Sequence, residues 1–430
     1  MKTLKFLQES QYWDEDRIKT YQLKKIKKLV SHSYTNIPYY KKLFTDNHIH
    51  PQDIQSFEDF KKIPVLTKDM ARAENQNLTV ANVDDTKNVI KGLTGGTTGL
   101  SLNIYKDHHT RSFVWSAFYR WYDWMGINLG DPLLFIKGGI DTHSAENFIN
   151  RLKDYFQNTV TLNFFDITNE RLEKITEGII LQQPVFLRGY VSTLILLAEY
   201  IQRNKIKLPL LKAISTTAEV LLPSYRAVLE KAFGCKIYDQ YGCGECESIA
   251  FECSQHNGLH ITMEHVYLEI HDENGNDTAG EGKLIVTDLD NYAMPFIRYE
   301  NGDMAKFSDI SCSCGVKHPL MESISGRIAD CIVLKNGTKV FGQYFTMLLL
   351  DNLDPETYAK VNKFQAFQEK AGQIEFRLES KSDINQSILS KLTDILSGDF
   401  SPAKVIVMEK IPLEKSGKFR FLKSTVNNHL

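Results

Sequence analysis

Residues 159–214 read TVTLNFFDITNERLEKITEGIILQQPVFLRGYVSTLILLAEYIQRNKIKLPLLKAI, and their periodicity sets the fold class. Thr159 to Phe165 is strand-like, Asn169 to Leu181 and Ser192 to Asn204 carry apolar residues at helical spacing, and Ala213-Ile214 is strand-like again. Upstream the same alternation holds. Val89-Ile90 precedes a long aromatic helix from Thr110 to Met125, then come strand-like Leu133 to Ile136 and a helix near Ala145 to Tyr155. Short apolar runs alternating with helices predict parallel sheets flanked by helices. Between Ile261 and Phe307 the pattern becomes hairpin-like: Leu268-Glu269-Ile270 and Leu284-Ile285-Val286 flank the turn-rich DENGNDTAGEG. After Gly326 the chain begins again with a β-rich, then α/β-like segment.

The first 87 residues read as mostly helical, with Pro-marked breaks at Ile37-Pro38 and Ile63-Pro64. Arg17 to Val30 places Ile18, Tyr21, Ile26, Leu29 and Val30 near one face and its lysines largely on another. That pattern fits a basic amphipathic helix on an anionic surface, or a core-packed helix with a solvated outer face. The crowded aromatic helix Arg111 to Trp124 suits core packing or a pocket wall better than base stacking, because no basic groove accompanies it.

Composition excludes several classes. At 430 residues the chain has room for two or three domains. Lys plus Arg is 51 and Asp plus Glu is 53, a net charge of −2, which argues against binding nucleic acid by bulk phosphate neutralisation. The most apolar stretch, Val191 to Ile201, contains Glu199 and is too short for a bilayer span of roughly 20 residues. The start, MKTLKFLQESQYWDEDR, lacks the apolar region of a signal peptide. These features predict a cytoplasmic protein without stable membrane insertion. Of seven cysteines, six lie between Cys235 and Cys314, a clustering that suggests thiolate chemistry rather than a disulfide framework.

Five short motifs could carry chemistry. Gly92 to Gly99 reads GLTGGTTG after a strand, so small residues and hydroxyls could cradle an anion, though an ordinary turn has the same composition. No Walker lysine follows it. Tyr241-Gly242-Cys243-Gly244-Glu245 ends a strand, where a Tyr can stack on a base and a carboxylate can hold Mg²⁺ on phosphates. Arg298-Tyr299-Glu300-Asn301-Gly302-Asp303 ends on an acid suited to ribose hydroxyls. Ser325-Gly326-Arg327 and Ser416-Gly417-Lys418 each put a cation beside glycine. Singly, each is also an ordinary turn or a solvated surface charge.

In this order the five motifs resemble the adenylate-forming superfamily, and TGGTTG, the helical N-terminus and the cysteines look more specifically like its phenylacetate-CoA ligase/CapK branch. CapK is linked to capsular polysaccharide biosynthesis. The resemblance spans roughly Asn88 to Arg420. It implies an AMP-forming ligase that adenylates a small carboxylate with ATP and Mg²⁺, then transfers the acyl group, most simply to coenzyme A. It further implies that Thr94, Gly95, Gly96, Thr97, Thr98 and Gly99 wrap the phosphates, that Thr217-Ala218-Glu219 lines the adenine, and that Tyr241, with Gly242, stacks on it. Glu245 would bind Mg²⁺, Asp303 the ribose, Arg327 the ribose or α-phosphate, and Lys418 would bridge carboxylate and α-phosphate. The family hinge reads Gly-Arg-x-Asp-Asp, whereas here Ala329 precedes Asp330, which puts domain alternation and the CoA step in question. Dimers are common in the branch, so the resemblance admits a homodimer.

Cys253 and His260 (C-x6-H) with Cys312 and Cys314 (C-x-C) offer three thiolates and an imidazole, a closed structural Zn²⁺ set. The other reading is reduced core cysteines; similar sets in the resembled branch favour zinc. Cys243 and Cys246 form C-x-x-C inside the nucleotide motif, with Cys246 a reserve zinc ligand.

The expected fold is α/β: an N-terminal domain, 1–326, of parallel sheets flanked by helices, with a β-rich zinc-bearing subdomain at about 250–320, and an α+β cap, 327–430, carrying Lys418. The pocket would be bounded by Phe113 to Tyr122, Phe135 to Gly139, Gly189-Tyr190 and Ser215 to Ala218. Two other functions stay open: adenylation with transfer to an amine, sugar or carrier protein, and a degenerate nucleotide-binding scaffold.

Overall fold

The computed structural model describes residues 2–83, 89–93, 102–137, 158–163, 166–167, 169–218, 221, 223–324, 332–340, 342–361, 363–380, 382–412, 422–424 and 426. The N-terminal segment is helical, as its periodicity predicts: α1 (Lys2–Ser10), α2 (Glu15–Asn36), α3 (Pro38–Asp46), α4 (Phe57–Lys61), a short strand β1 (Leu66–Thr67) and α5 (Lys68–Ala73). The Asp14 carboxylate accepts the Arg17 N–H at 2.8 Å to cap α2, and Glu15 and Asp16 complement the dipole in its first turn. Pro38 stops it. Ile26, Leu29 and Val30 are fully buried against Tyr40, Phe44, Phe296 and Tyr299, so α2 is a core helix with a solvated outer face.

Strands β2 (Val89–Leu93) and β3 (Asn103–Asp107) pair antiparallel, with Leu93 opposite Asn103. Asp107 then caps α6 (His108–Trp124), whose Phe113, Phe118, Trp121 and Tyr122 are buried. Core packing is what its aromatic content serves.

The predicted parallel sheet is present. Strands β4 (Leu133–Lys137), β5 (Thr159–Asn163), β7 (Phe186–Tyr190), β8 (Ala213–Thr217) and β9 (Lys236–Tyr238) run in the order β5-β4-β7-β8-β9, every pair parallel. A short β6 (Asp166–Ile167) lies outside this sheet. The helices Asn169–Gln182, Val191–Arg203 and Pro223–Phe233 cover one face and α6 covers the other, which is why both faces of the strands are apolar. Periodicity does not pick out Phe186–Tyr190, because Arg188 and Gly189 interrupt its apolar run and a helix follows without a turn. The helix expected near Ala145 to Tyr155 lies outside the described residues.

Beyond it stands an eight-stranded mixed sheet. Strands β10 (Gln240–Tyr241), β11 (Ala250–Glu252), β12 (Leu259–Ile261), β13 (Val266–His271), β14 (Gly282–Asp288), β15 (Tyr299–Phe307) and β16 (Leu320–Ile324) pair antiparallel, and β1 joins β15 in parallel. The predicted hairpin is β13–β14, with Leu268 opposite Val286 and Ile270 opposite Leu284. Two buried arginines fasten the N-terminal helices to this sheet. Arg120 donates to Glu264 at 2.8 Å and to the Leu7 carbonyl. Arg298 forks onto Glu269 at 2.7 and 3.0 Å and donates to the carbonyls of Lys61 and Ile63.

The remaining residues form β17 (Ile332–Val333), β18 (Lys339–Val340), the helices Gly342–Asn352, Pro355–Lys360 and Gln386–Asp399, and the sheet β21-β20-β19-β22. Its strands are β19 (Lys363–Gln368), β20 (Ile374–Glu379), β21 (Ala403–Met408) and β22 (Leu422–Ser424). They share one hydrophobic cluster around Phe345, Phe364, Phe376 and Phe400. β18 also pairs with β6, Lys339 opposite Ile167.

Candidate active site

The parallel sheet ends at β9 and the chain turns directly into β10, delivering Tyr241 to the seam between the two sheets. Gly242 follows because a Cβ there would stand 3.0 Å from the Ser248 backbone nitrogen. The turn closes when the Cys243 N–H donates to the Cys246 carbonyl at 2.9 Å. Tyr241 Oη donates to Asp303 Oδ2 at 2.7 Å, which joins two motifs 62 positions apart, and Asn301 Nδ2 donates to Tyr241 Oη at 2.6 Å. Gly302, at φ 86°, supplies the left-handed turn that lets the Asp303 N–H reach Asn301 Oδ1 at 3.1 Å. Burial, and then the Asp303 charge, hold the Tyr241 hydroxyl well above its ordinary value, so it stays a donor.

Glu245 is 3% exposed. Its Oε1 accepts from Tyr299 Oη at 2.9 Å, and Lys68 Nζ stands 4.0 Å away, held there by the β1–β15 pairing. Lys106 Nζ donates to the Gly244 carbonyl at 2.9 Å and pairs with Glu247 at 3.3 Å. Tyr299 and Asn301 sit inside a motif the sequence singles out, but nothing local marks Lys68 or Lys106, whose partners are distant in sequence. Ala218 adopts φ 64°, a strained setting for a side chain with a Cβ, at the exit of β8. Beneath it, Gln240 donates to Thr217 Oγ1, and Thr216 Oγ1 donates to Asp239 at 2.8 Å. Burial pushes Asp239 up to about 6. Thr94 to Gly99, Glu219, Arg327, Ala329 and Lys418 lie outside the described residues, as do Gly138 and Gly139 of the expected pocket.

The four expected zinc ligands converge. Cys253 follows β11, His260 lies on β12, and Cys312 and Cys314 lie between β15 and β16. The ligand atoms are all within 4.8 Å of one another, with Cys253 Sγ 3.5 Å from Cys312 Sγ and Cys314 Sγ 3.2 Å from His260 Nε2. A tetrahedral ion with metal–sulfur distances of about 2.3 Å separates its ligands by about 3.7 Å, so the donor set fits zinc. His260 Nδ1 lies 3.0 Å from the His318 carbonyl; donation there leaves Nε2 free for the thiols. Cys246 is elsewhere. It is fully buried, grouped with His265 and Asp288, and no reserve ligand for this set, because the β10–β11 turn carries it to the sheet's inner face. Burial raises the Cys243 and Cys246 thiols well above their ordinary value, the opposite of a reactive C-x-x-C pair.

No family model matches the sequence. Among characterised proteins, the chain is 25% identical over 427 residues to phenylacetate-coenzyme A ligase of Aromatoleum evansii, covering 93% of this chain and 92% of that protein. It is 24% identical over 279 residues to protein CapK of Staphylococcus aureus, covering 64% and 60%. Among solved structures, a 2-hydroxyisobutyryl-CoA ligase in complex with 2-HIB-AMP and CoA superposes with a TM-score of 0.66 at 18% identity, over 97% of this chain and 94% of that one. The fold is therefore shared with that ligase.

Proposed function

We propose that this chain, a homologue of the phenylacetate-CoA ligases within the adenylate-forming superfamily, activates a small carboxylic acid with ATP and passes the acyl group to coenzyme A. One observation carries the reading. The Tyr241–Asp303 hydrogen bond brings the YGxxE and RYxxGD motifs into one site beside a buried carboxylate, Glu245. In the first step a carboxylate oxygen attacks the α-phosphorus and the bond to the bridging oxygen breaks, releasing pyrophosphate. In the second, the CoA thiolate attacks the acyl carbonyl and AMP leaves.

Each residue has a physical task. The Tyr241 ring offers a face for adenine while its hydroxyl holds Asp303 in place to accept ribose hydroxyls. Thr94 to Gly99 follow β2 and would supply amides and hydroxyls to the phosphates. Ala218 and Glu219 would flank the base, with Gly242 permitting the close turn beneath it. Arg327 would reach the ribose or α-phosphate, and Lys418 would bridge the two anions that must meet. Glu245 would hold Mg²⁺, a hard cation suited to carboxylate and phosphate oxygens, which when bound offsets phosphate charge. Cys253, His260, Cys312 and Cys314 would hold a structural zinc ion. We assign residues 1–326 to an adenylating core and 327–430 to a cap carrying Lys418; the protein would work in the cytoplasm, with a homodimer to be tested by sedimentation.

Carboxylate-dependent ATP–pyrophosphate exchange tests the first step, and CoA-dependent release of AMP tests the second. Lys418→Ala should lower adenylation by about 10²–10³-fold with ATP binding retained. Unchanged turnover would remove this lysine from the mechanism. AMP release that ignores CoA but responds to an amine or sugar would reassign the acceptor. Purified protein should contain about one zinc per chain by the stoichiometry of a closed site, and less than about half an equivalent rejects it.

A further inference from the structure

The parallel sheet carries one row of side chains that no catalytic role uses. Phe135 on β4, Arg188 on β7, Ser215 on β8 and Tyr238 on β9 stand opposite one another in register, on the face covered by α6. Two positions earlier on β7, Phe186 packs against Tyr122 with ring centroids 5.0 Å apart, making an apolar floor. Two positions later, Tyr190 is paired with Thr217 at the carboxyl ends of the strands, next to Ala218. Ligands of parallel α/β sheets bind at those ends. Arg188 therefore lies about 7 Å deeper than the nucleotide-facing rim, given a strand rise of about 3.3 Å per residue.

The charge in this row meets no opposite charge among the described residues, and one of its hydroxyls is unpaired. Among the described residues no carboxylate pairs with Arg188; its guanidinium sits 4.4 Å over the Phe118 ring. Ser215 is fully buried and its Oγ has no hydrogen-bond partner. Tyr122 Oη, on the facing helix, is buried beside the guanidinium. Burial pushes that hydroxyl up to about 12, and the charge of Arg188 and a hydrogen bond from it oppose the push, so the guanidinium has a neutral partner there and no anionic one. Buried polar groups are nearly always paired, and a guanidinium cannot discard its proton. A permanent cation met only by a neutral tyrosine and an aromatic ring, with an unpaired serine hydroxyl beside it, is chemistry for an anionic group brought in by a ligand.

We propose that Arg188, with Ser215, forms a subsite for a second, distal acidic group on the acid that is activated, making the preferred substrate a dicarboxylate or an acid with an ionised tail. This rests on the adenylation reading and narrows its substrate class. An ionised oxygen would accept from the guanidinium fork and from Ser215, with Phe135 beside it and Phe186 closing the floor beneath. Charge-assisted bonds of this kind discriminate strongly, because an uncharged isostere leaves the cation desolvated and unpaired.

Exchange assays with matched pairs test it: hexanedioic against hexanoic acid, and 4-carboxyphenylacetic against phenylacetic acid. The wild-type protein should favour the diacid of at least one pair by about tenfold or more in kcat/KM, and Arg188→Gln should erase that preference by about 10–100-fold, mainly through KM. Ser215→Ala should shift it in the same direction by a smaller factor. Exchange with the monoacids alone, or a preference unmoved by Arg188→Gln, overturns the subsite and leaves adenylation standing. Silence with all four acids and with a wider panel, in protein that binds ATP, overturns the adenylation reading itself.

Discussion

Arg120 and Arg298 differ from Arg188 in what meets their charge. Arg120 and Arg298 are buried in the seam between the N-terminal helices and the mixed sheet, and each finds a buried glutamate and a backbone carbonyl. Arg188 lies on the parallel sheet with no acid among the described residues. All three are cations taken partly out of water, so their partners indicate their work. The mixed sheet uses its charges to hold itself together, whereas the parallel sheet carries one that no described acid meets.

That contrast can be broken experimentally. Arg298→Ala strands Glu269 in the interior and should cost about 3–5 kcal/mol in urea unfolding. A loss below about 1 kcal/mol would show the mixed-sheet arginines to be as idle as Arg188. Asp239 sharpens the comparison from the acid side. Burial lifts it from 3.8 to about 6, so the folded protein holds a proton that the unfolded chain has released. Its contribution to stability is full below about pH 4 and falls away as the pH rises through 6, and Asp239→Asn should flatten the stability–pH profile across that window. Smallest of all, Arg188→Gln should move stability by no more than about 1 kcal/mol, since it breaks a cation–π contact but no ion pair in the described structure. A larger loss would make it a structural arginine after all.

Much of the architecture was legible because it depends on local pattern. The β13–β14 hairpin shows as two apolar triplets around a turn-rich loop, and the helices after β6 and β7 show as apolar spacing. Phe186–Tyr190 was not legible, since the strand is marked by its neighbours β4 and β8 rather than by its own alternation. The same divide runs through the site. Tyr241, Asp303 and Glu245 lie in short motifs, and the Cys/His quartet is recognisable by residue type. Lys68 and Arg188 are ordinary in sequence, and only the β1–β15 pairing and the β7 register give them meaning.

The parallel pairing of Leu66 with Tyr299 also bears on how the chain is made. Gln22 donates to the carbonyls of Met263 and Val266, and Tyr40 Oη to that of Pro295, contacts 241 to 255 positions apart. Emerging from the ribosome long before their partners, the N-terminal helices must wait until the chain has been synthesised through Tyr299 before Leu66, Phe60 and Tyr40 can be covered. Such long-range closure slows folding and leaves apolar surface open to aggregation meanwhile. The segment that completes the neighbourhood of Glu245 is thus made well before it can be seated.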